Sequence, residues 1–248
     1  MLKKKLFLFG LGCGAAFASS QAATIVGYDF TAGTPQDASF EASNVTASSF
    51  NLNAANTGFD FNDTVGDSAG TTAGIDFSEA AGNFRATNGL LLNGNRDATI
   101  AAGDYFSFTL TPDTGFEMNL DTILFSASRA GNNTKSAESF ALMSSITGFE
   151  DTDTSVYLGA VTTVAGGLNP YQQFSVDVSG VSAFQNITTA TEFRVYVWGG
   201  TGGVSSSAIN YDNVGVIGDV SAVPEPGTYA LLAGCLALSS VMLRRRRD

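Results

Sequence analysis

Carboxylates are the residues of this chain best placed to do chemistry, because it has no histidine and its two cysteines stand at positions 13 and 235. Without imidazole there is no Ser-His-Asp or Cys-His relay, and no zinc site built on imidazole. A glycosidase needs only two acids, and the nearest pairs are Asp60 with Asp63 and Asp151 with Asp153. Both pairs sit in stretches rich in Gly, Thr and Asn, which read as solvated loops. No catalytic residue is assigned, and a hydrolase ranks third among the functions considered. Calcium is a better use for so many oxygens, since it takes several carboxylates and carbonyls on flexible backbone. No contiguous calcium-loop spacing is present, so a site would be assembled in space. Asp29 near the start of the domain, with Asp212 or Asn213 near its end, is the chosen set. Sugar contacts are assigned to Trp198, the single tryptophan, to Tyr211 and to Arg129, with Tyr171 as a further aromatic. Arg129 and Lys135 flank the polar run Ala130-Gly131-Asn132-Asn133-Thr134. A tryptophan in an apolar strand is also an ordinary core residue, and the polar run is equally a hairpin tip.

A second kind of chemistry, peptide processing, belongs to the two ends. Lys3-Lys4-Lys5 precedes an apolar run from Leu6 to Ala18 and a small-residue site at Ser20-Gln21-Ala22. That is the pattern of a secretory signal peptide over 1–22, with the mature chain starting at Ala23. Cys13 follows Gly10-Leu11-Gly12, a poor lipoprotein box. At the other end stands Val223-Pro224-Glu225-Pro226, then an apolar stretch to Leu243 and Arg244-Arg245-Arg246-Arg247. The prolines fix φ and bias their predecessors to extended backbone, so the motif reads as a stiff stalk. The stretch 226–243 would span roughly 27 Å as a helix, close to a hydrocarbon core of about 30 Å. An arginine cluster after it would stay on the cytoplasmic side. The expectation is one transmembrane helix with its C-terminus inside; a buried core helix and a glycolipid-anchor signal are the alternatives.

Stalk, apolar stretch and terminal arginine cluster together resemble the PEP-CTERM sorting signal of Gram-negative bacteria. The resemblance covers about 223–247. It implies processing near Pro-Glu-Pro by an exosortase, a membrane enzyme resembling cysteine transpeptidases, usually in bacteria that make exopolysaccharide. The expected course is export, inner-membrane anchoring before processing, and release to the cell surface or extracellular matrix.

The segments that position these residues follow from composition. The two ends hold seven of the 12 basic residues and two of the 23 acidic ones, so 23–222 carries five basic and 21 acidic residues, a formal net charge of −16. A domain so acidic does not hold nucleic acid by charge, and it suits calcium or neutral glycans. Without a cysteine, 23–222 gains nothing from disulfides. From Thr24 onward, short β-branched or aromatic runs alternate with Gly, Asn, Asp and Ser, which predicts roughly ten strands. The expected strands are 24–30, 45–52, 84–92, 97–101, 105–110, 118–128, 139–143, 156–164, 173–178, 193–198 and 208–217. The stretch 53–74 reads as a long loop and 181–187 as one helical turn. Phe106, Phe108 and Leu110 alternate with Ser107 and Thr109 and should face the core.

The segments Phe174 to Gly180, Phe193 to Gly199 and Tyr211 to Val216 resemble the closing half of jelly-roll domains in other exported PEP-CTERM proteins. They are similar in style to galactose-binding-like carbohydrate modules. The fold expected is therefore all-β: a jelly-roll-like β-sandwich ectodomain over 23–222, between the signal peptide and the sorting segment 223–248. The leading function is a non-enzymatic structural or adhesive component of the envelope or polysaccharide matrix. The alternative is a carbohydrate-binding module for exopolysaccharide.

Overall fold

The computed structural model describes residues 22–30, 36–53, 58–62, 70–72, 75–77, 83–87, 96–103, 105–130, 139–149, 162–163, 172–198, 208–224 and 226–245. Positions 1–21, Asp63, Lys135, Asp151, Asp153, Tyr171, Glu225, Arg246 and Arg247 lie outside the described residues.

In chain order the first strands are β1 (Ala23–Tyr28), β2 (Phe40–Glu41), β3 (Val45–Ala47), β4 (Asn51–Asn53) and β5 (Gly58–Asn62). Next come β6 (Gly70–Thr72), β7 (Ile75–Phe77), β8 (Asn83–Thr87), helix α1 (Arg96–Ala102), β9 (Tyr105–Pro112) and β10 (Phe116–Ala130). The remainder is β11 (Ser139–Ser144), β12 (Thr162–Thr163), β13 (Gln172–Asp177), β14 (Thr191–Trp198), β15 (Ala208–Ala222) and helix α2 (Pro226–Arg245). One sheet runs β13-β10-β15-β1-β2, with β8 and β5 beside the first part of β15. The other runs β12-β11-β14-β9-β3, with β4 also on β9, and β6 pairs only with β7. Each pairing between these strands is antiparallel. The described chain is thus mostly β, an all-β sandwich of two sheets.

β15 organises the first sheet because it is long enough to serve several neighbours. It pairs with β10 from Ala208 to Ala222, while its other side meets β8 over Ala208–Tyr211 and β1 over Val214–Gly218. The change of neighbour falls at Asn213, whose φ is +56°. Asn tolerates this left-handed conformation better than most residues. Val214 and Asn213 together oppose the single Phe125 there, which makes a bulge in β15. A second bulge in β10 leaves Asp121 unmatched between the rungs Leu120↔Gly218 and Thr122↔Ile217. A Cβ on Gly218 would collide with the Asn119 carbonyl oxygen, so only glycine fits this rung.

The bulges explain where side chains go. Met118 and Leu120 enter the core before the β10 bulge, and Ile123, Phe125 and Ala127 enter it after, the parity having switched. In β1 a bulge between Thr24 and Val26 leaves Ile25 out of register. Ile25, Val26, Tyr28 and Phe30 all join the core in consequence. Phe30 itself has φ +53°, so the strand ends at Tyr28 rather than at Phe30.

Between the sheets lies a chain of rings. Tyr28 sits 5.8 Å from Phe50 and 5.6 Å from Phe108, and Phe108 stacks on Phe193 at 5.2 Å. At the other end Phe140 meets Phe125 and Phe174, both at 4.7 Å. Such tilted and edge contacts add to the stabilisation from area burial alone. Phe106, Phe108 and Leu110 are buried as the alternation predicts.

Several other expectations change. Residues 97–101 form part of α1 and not a strand: Ala98, Ala101 and Ala102 favour helix, and Gly103 at φ +72° ends it. The stretch read as a loop over 53–74 contains β5 and β6. The run 45–52 is split into β3 and β4, both on β9. The turn near 181–187 is a single 3-10 turn, Ser182–Phe184. Of the strand expected over 156–164, only Thr162–Thr163 is described.

α2 stands apart. Its described side chains, including Leu231, Leu236, Leu238, Val241 and Met242, are exposed, which excludes the buried core helix. Among the described residues no helix is long and apolar enough to cross a membrane. The first turn of α2 is Pro-Gly-Thr-Tyr and its last turn carries Arg244 and Arg245. The apolar part is then about 14 residues, roughly 21 Å at 1.5 Å each, short of the hydrocarbon thickness that the sequence expectation required.

Phe108→Ala should lower stability by about 3–5 kcal/mol, the usual cost of emptying a buried aromatic site, read from thermal melts of the secreted domain. A melt like the parent's would mean that the ring chain does not hold the sheets together. Alkaline melts supply a second check. The Tyr28 hydroxyl donates to the Ser48 carbonyl at 2.6 Å, and burial, with Glu41 and Asp37 nearby, raises its pKa. The unfolded phenol titrates near 10, so its contribution is complete below that pH and declines as pH climbs toward the higher folded value. The parent should therefore lose stability above about pH 10 more steeply than Tyr28→Phe does. Equal slopes would count against a buried neutral Tyr28.

Candidate functional site

Alternation along β14 sends Phe193, Val195 and Val197 into the core and turns Glu192, Arg194 and Tyr196 to the outer face of the second sheet. On the neighbouring strand β9, Phe106 and Phe108 face inward and Tyr105 and Ser107 outward, with Ser107 directly opposite Arg194. The turn after β11 supplies Phe149. These side chains meet. The Arg194 Cζ lies 4.1 Å from the Tyr105 ring centroid and 3.7 Å from that of Phe149. Its Nε and Nη2 donate to Glu192 Oε1 and Oε2 at 2.9 and 3.0 Å. This two-pronged pair is the geometry that guanidinium and carboxylate match best. The Tyr196 hydroxyl bonds to the same guanidinium, and its ring centroid is 5.4 Å from that of Tyr105.

Electrostatics keep this group charged and fixed. Burial works against the Arg194 charge, but its bonds to Glu192 and Tyr196 outweigh that, and its pKa is raised. Burial also raises the Tyr196 pKa, with Arg194 acting in the opposite direction. Neither group exchanges protons near neutrality. Arg194 and Glu192 keep 22% and 29% of their side-chain surface exposed, and Tyr105 and Phe149 are half-buried. Tyr196 is buried beneath this cluster, and the guanidinium covers one face each of Tyr105 and Phe149. α1 packs beside β14 and buries Thr99.

The assigned calcium residues are partly brought together. β1 and β15 lie side by side, and beyond the rung Tyr28↔Val214 the next positions are Asp29 and Asn213. Asp29 is half-buried and Asn213 buried at the bulge. Asp212 occupies a β15 position opposite Ser126, and its side chain is not described. Among the described residues no group of three or more His, Cys, Asp or Glu could hold a metal.

Of the assigned sugar contacts, Trp198 stands in the second sheet and Tyr211 and Arg129 on neighbouring strands of the first. Trp198 ends β14 and is 8% exposed, so its ring offers little face to a sugar. Tyr211 pairs with Ala127 and Arg129 with Ile209 in the first sheet, their side chains not described. Asp60 lies on β5 opposite Arg85. In the sorting motif Val223 and Pro224 are exposed, Pro226 opens α2, and Arg244 and Arg245 close it. The Arg194 cluster was missed because only the apolar halves of Thr191–Trp198 and Tyr105–Pro112 were read. The polar halves, Glu192, Arg194 and Tyr196 against Tyr105, carried the signal at the same spacing of two. Phe149, supplied by a turn, left no such trace.

No family model and no curated protein matches the chain. Among solved structures it is similar to two adhesin domains of Lys-gingipain from Porphyromonas gingivalis. The K1 cleaved domain is 18% identical with a TM-score of 0.30, over 73% of this chain and 99% of that one. The K3 domain is 20% identical with a TM-score of 0.30, over 66% of this chain and 91% of that one.

Arg194→Lys keeps the charge but loses the fork onto Glu192 and the planar stack on the rings. It should cost roughly 1–2 kcal/mol of stability, measured by chemical denaturation. A variant as stable as the parent would show that the cluster is not held together by the guanidinium plane.

Proposed function

We propose that the protein is exported and displayed as a non-enzymatic structural or adhesive β-sandwich, sorted by its C-terminal segment. The observation that carries this reading is the arrangement at the C-terminus. The sheet ends at Ala222, Val223-Pro224-Glu225-Pro226 follows at once, and the described residues of α2 are exposed outside the sandwich. A helix that contributes nothing to the core fits a removable address. The resemblance to the PEP-CTERM signal names the enzyme class, an exosortase, and the basic ends Lys3–Lys5 and Arg244–Arg247 fit export with both ends inside before processing. In this reading the tail holds the protein at the membrane only until processing. The placement of β1 beside β15 supports a jelly-roll-like arrangement, in which the first and last strands are neighbours.

Intact mass of the secreted protein tests this reading. The expected form starts at Ala23 and lacks everything beyond roughly Pro226. A secreted form still ending at Asp248 would contradict it.

A second reading, carbohydrate binding, is favoured by the Arg194 cluster. The half-buried Tyr105 and Phe149 beside a paired guanidinium and carboxylate would offer a sugar ring edges and hydroxyl partners. The acidity of 23–222 favours a neutral polymer over an anionic one. Co-sedimentation with an insoluble neutral glucan should retain the parent and fall at least tenfold for Tyr105→Ala. Equal retention would remove this surface from consideration.

A further inference from the structure

The last rungs of the sheet reach almost to the sorting motif. Ala222 pairs with Phe116 and Ser221 with Glu117. One step further, the Val223 N–H donates to the Gly115 carbonyl oxygen at 2.8 Å. Gly115 sits in the turn between β9 and β10 at φ +86°, a conformation that glycine adopts without strain. Only Pro224 and Glu225 separate this bond from Pro226, the first residue of α2. The three residue steps from Val223 to Pro226 reach at most about 11 Å. Any bond broken near Pro-Glu-Pro therefore lies within that distance of the folded end of the sandwich.

An enzyme that cuts a peptide holds it extended, in a cleft that lines several residues on each side of the bond. Ser221, Ala222 and Val223 cannot enter such a cleft while they are paired to Glu117, Phe116 and Gly115. We propose that the end of β15 is a latch: tail removal requires Ser221–Val223 to peel from the β9–β10 turn, so the stability of these rungs sets the rate of processing. Strand ends open locally at far less free energy than the whole fold, so the latch can open with the sandwich intact. The inference rests on the tail-removal reading proposed above and adds to it a controlling element within the folded domain.

The rung geometry supplies the test. With Val223 N bonded to Gly115 O, the flanking pair Phe116↔Ala222 is a non-hydrogen-bonded pair, whose Cα atoms approach to about 4.5 Å. That separation suits a disulfide. Full-length chains are expressed in the native host in a Cys235→Ser background, and tail loss is followed by intact mass over time. Phe116→Cys with Ala222→Cys should process at least tenfold more slowly than the Cys235→Ser parent, and dithiothreitol should restore the rate. Inserting six Gly/Ser residues after Val223 should speed processing at least twofold, because the cleft is then filled without peeling. If the parent is processed and the stapled chain keeps pace with it, the latch is overturned while the sorting reading stands. If neither the parent nor the insertion variant loses its tail, the sorting reading fails and the latch falls with it.

Discussion

The antiparallel ladder between β10 and β15, running from Phe116↔Ala222 to Ala130↔Ala208, is the contact on which the rest of the fold depends. It joins the turn after β9 to the last strand and holds β13 on one flank and β1 and β8 on the other. A ladder this long does not stay straight, because strands twist. Bulges interrupt it at Asp121 and Asn213, and a third, at Ile25, lies in the β1–β15 pairing. Each bulge re-aims the side chains beyond it. The core can then draw Met118 and Leu120 from one parity and Ile123 and Phe125 from the other.

With no cysteine between 14 and 234, cohesion across the sheets falls to ring packing. The rings of Tyr28, Phe50, Phe108 and Phe193 link the first sheet to the second near β1, and Phe125, Phe140 and Phe174 do so near β11. Polar pins fix the ends. The Asn119 Nδ2 donates to Asp219 at 3.2 Å, its Oδ1 accepts from the Asn186 N–H at 2.8 Å, and Gln185 donates to the Leu120 carbonyl at 2.9 Å. These bonds surround the rung at Gly218, where the backbones come closest. The outer face of the second sheet is thereby left available for a cluster such as that of Arg194, which the core does not need.

How much of this is legible in the sequence depends on period. Where alternation is uninterrupted, as in Tyr105–Pro112 and Thr191–Trp198, the strand and its buried face follow from the residues. Where a bulge adds one residue, as at Ile25 or Asp121, the pattern of two breaks and the face cannot be read locally. Residues 97–101 read as a strand on Thr99 and Ile100, whereas Ala98, Ala101, Ala102 and the terminal Gly103 carry the helix. The pairing of β1 with β15, a contact far apart along the chain, has no local signature in the residues and places Asp29 near Asn213. The site on the second sheet combines residues from β9, β14 and a turn, and only the strand contributions have a sequence period.

The β10–β15 ladder should be the most stable unit of the domain, with the described residues of α2 outside it. Native-state hydrogen exchange on the unprocessed chain tests this residue by residue. The amides of Ile123, Leu124 and Val216 should exchange slowest, at the rate of global unfolding, with Ser221–Val223 faster and α2 independent of them. If α2 amides were protected to the same degree as Leu124, or if the ladder exchanged as readily as β2, the claim would be contradicted.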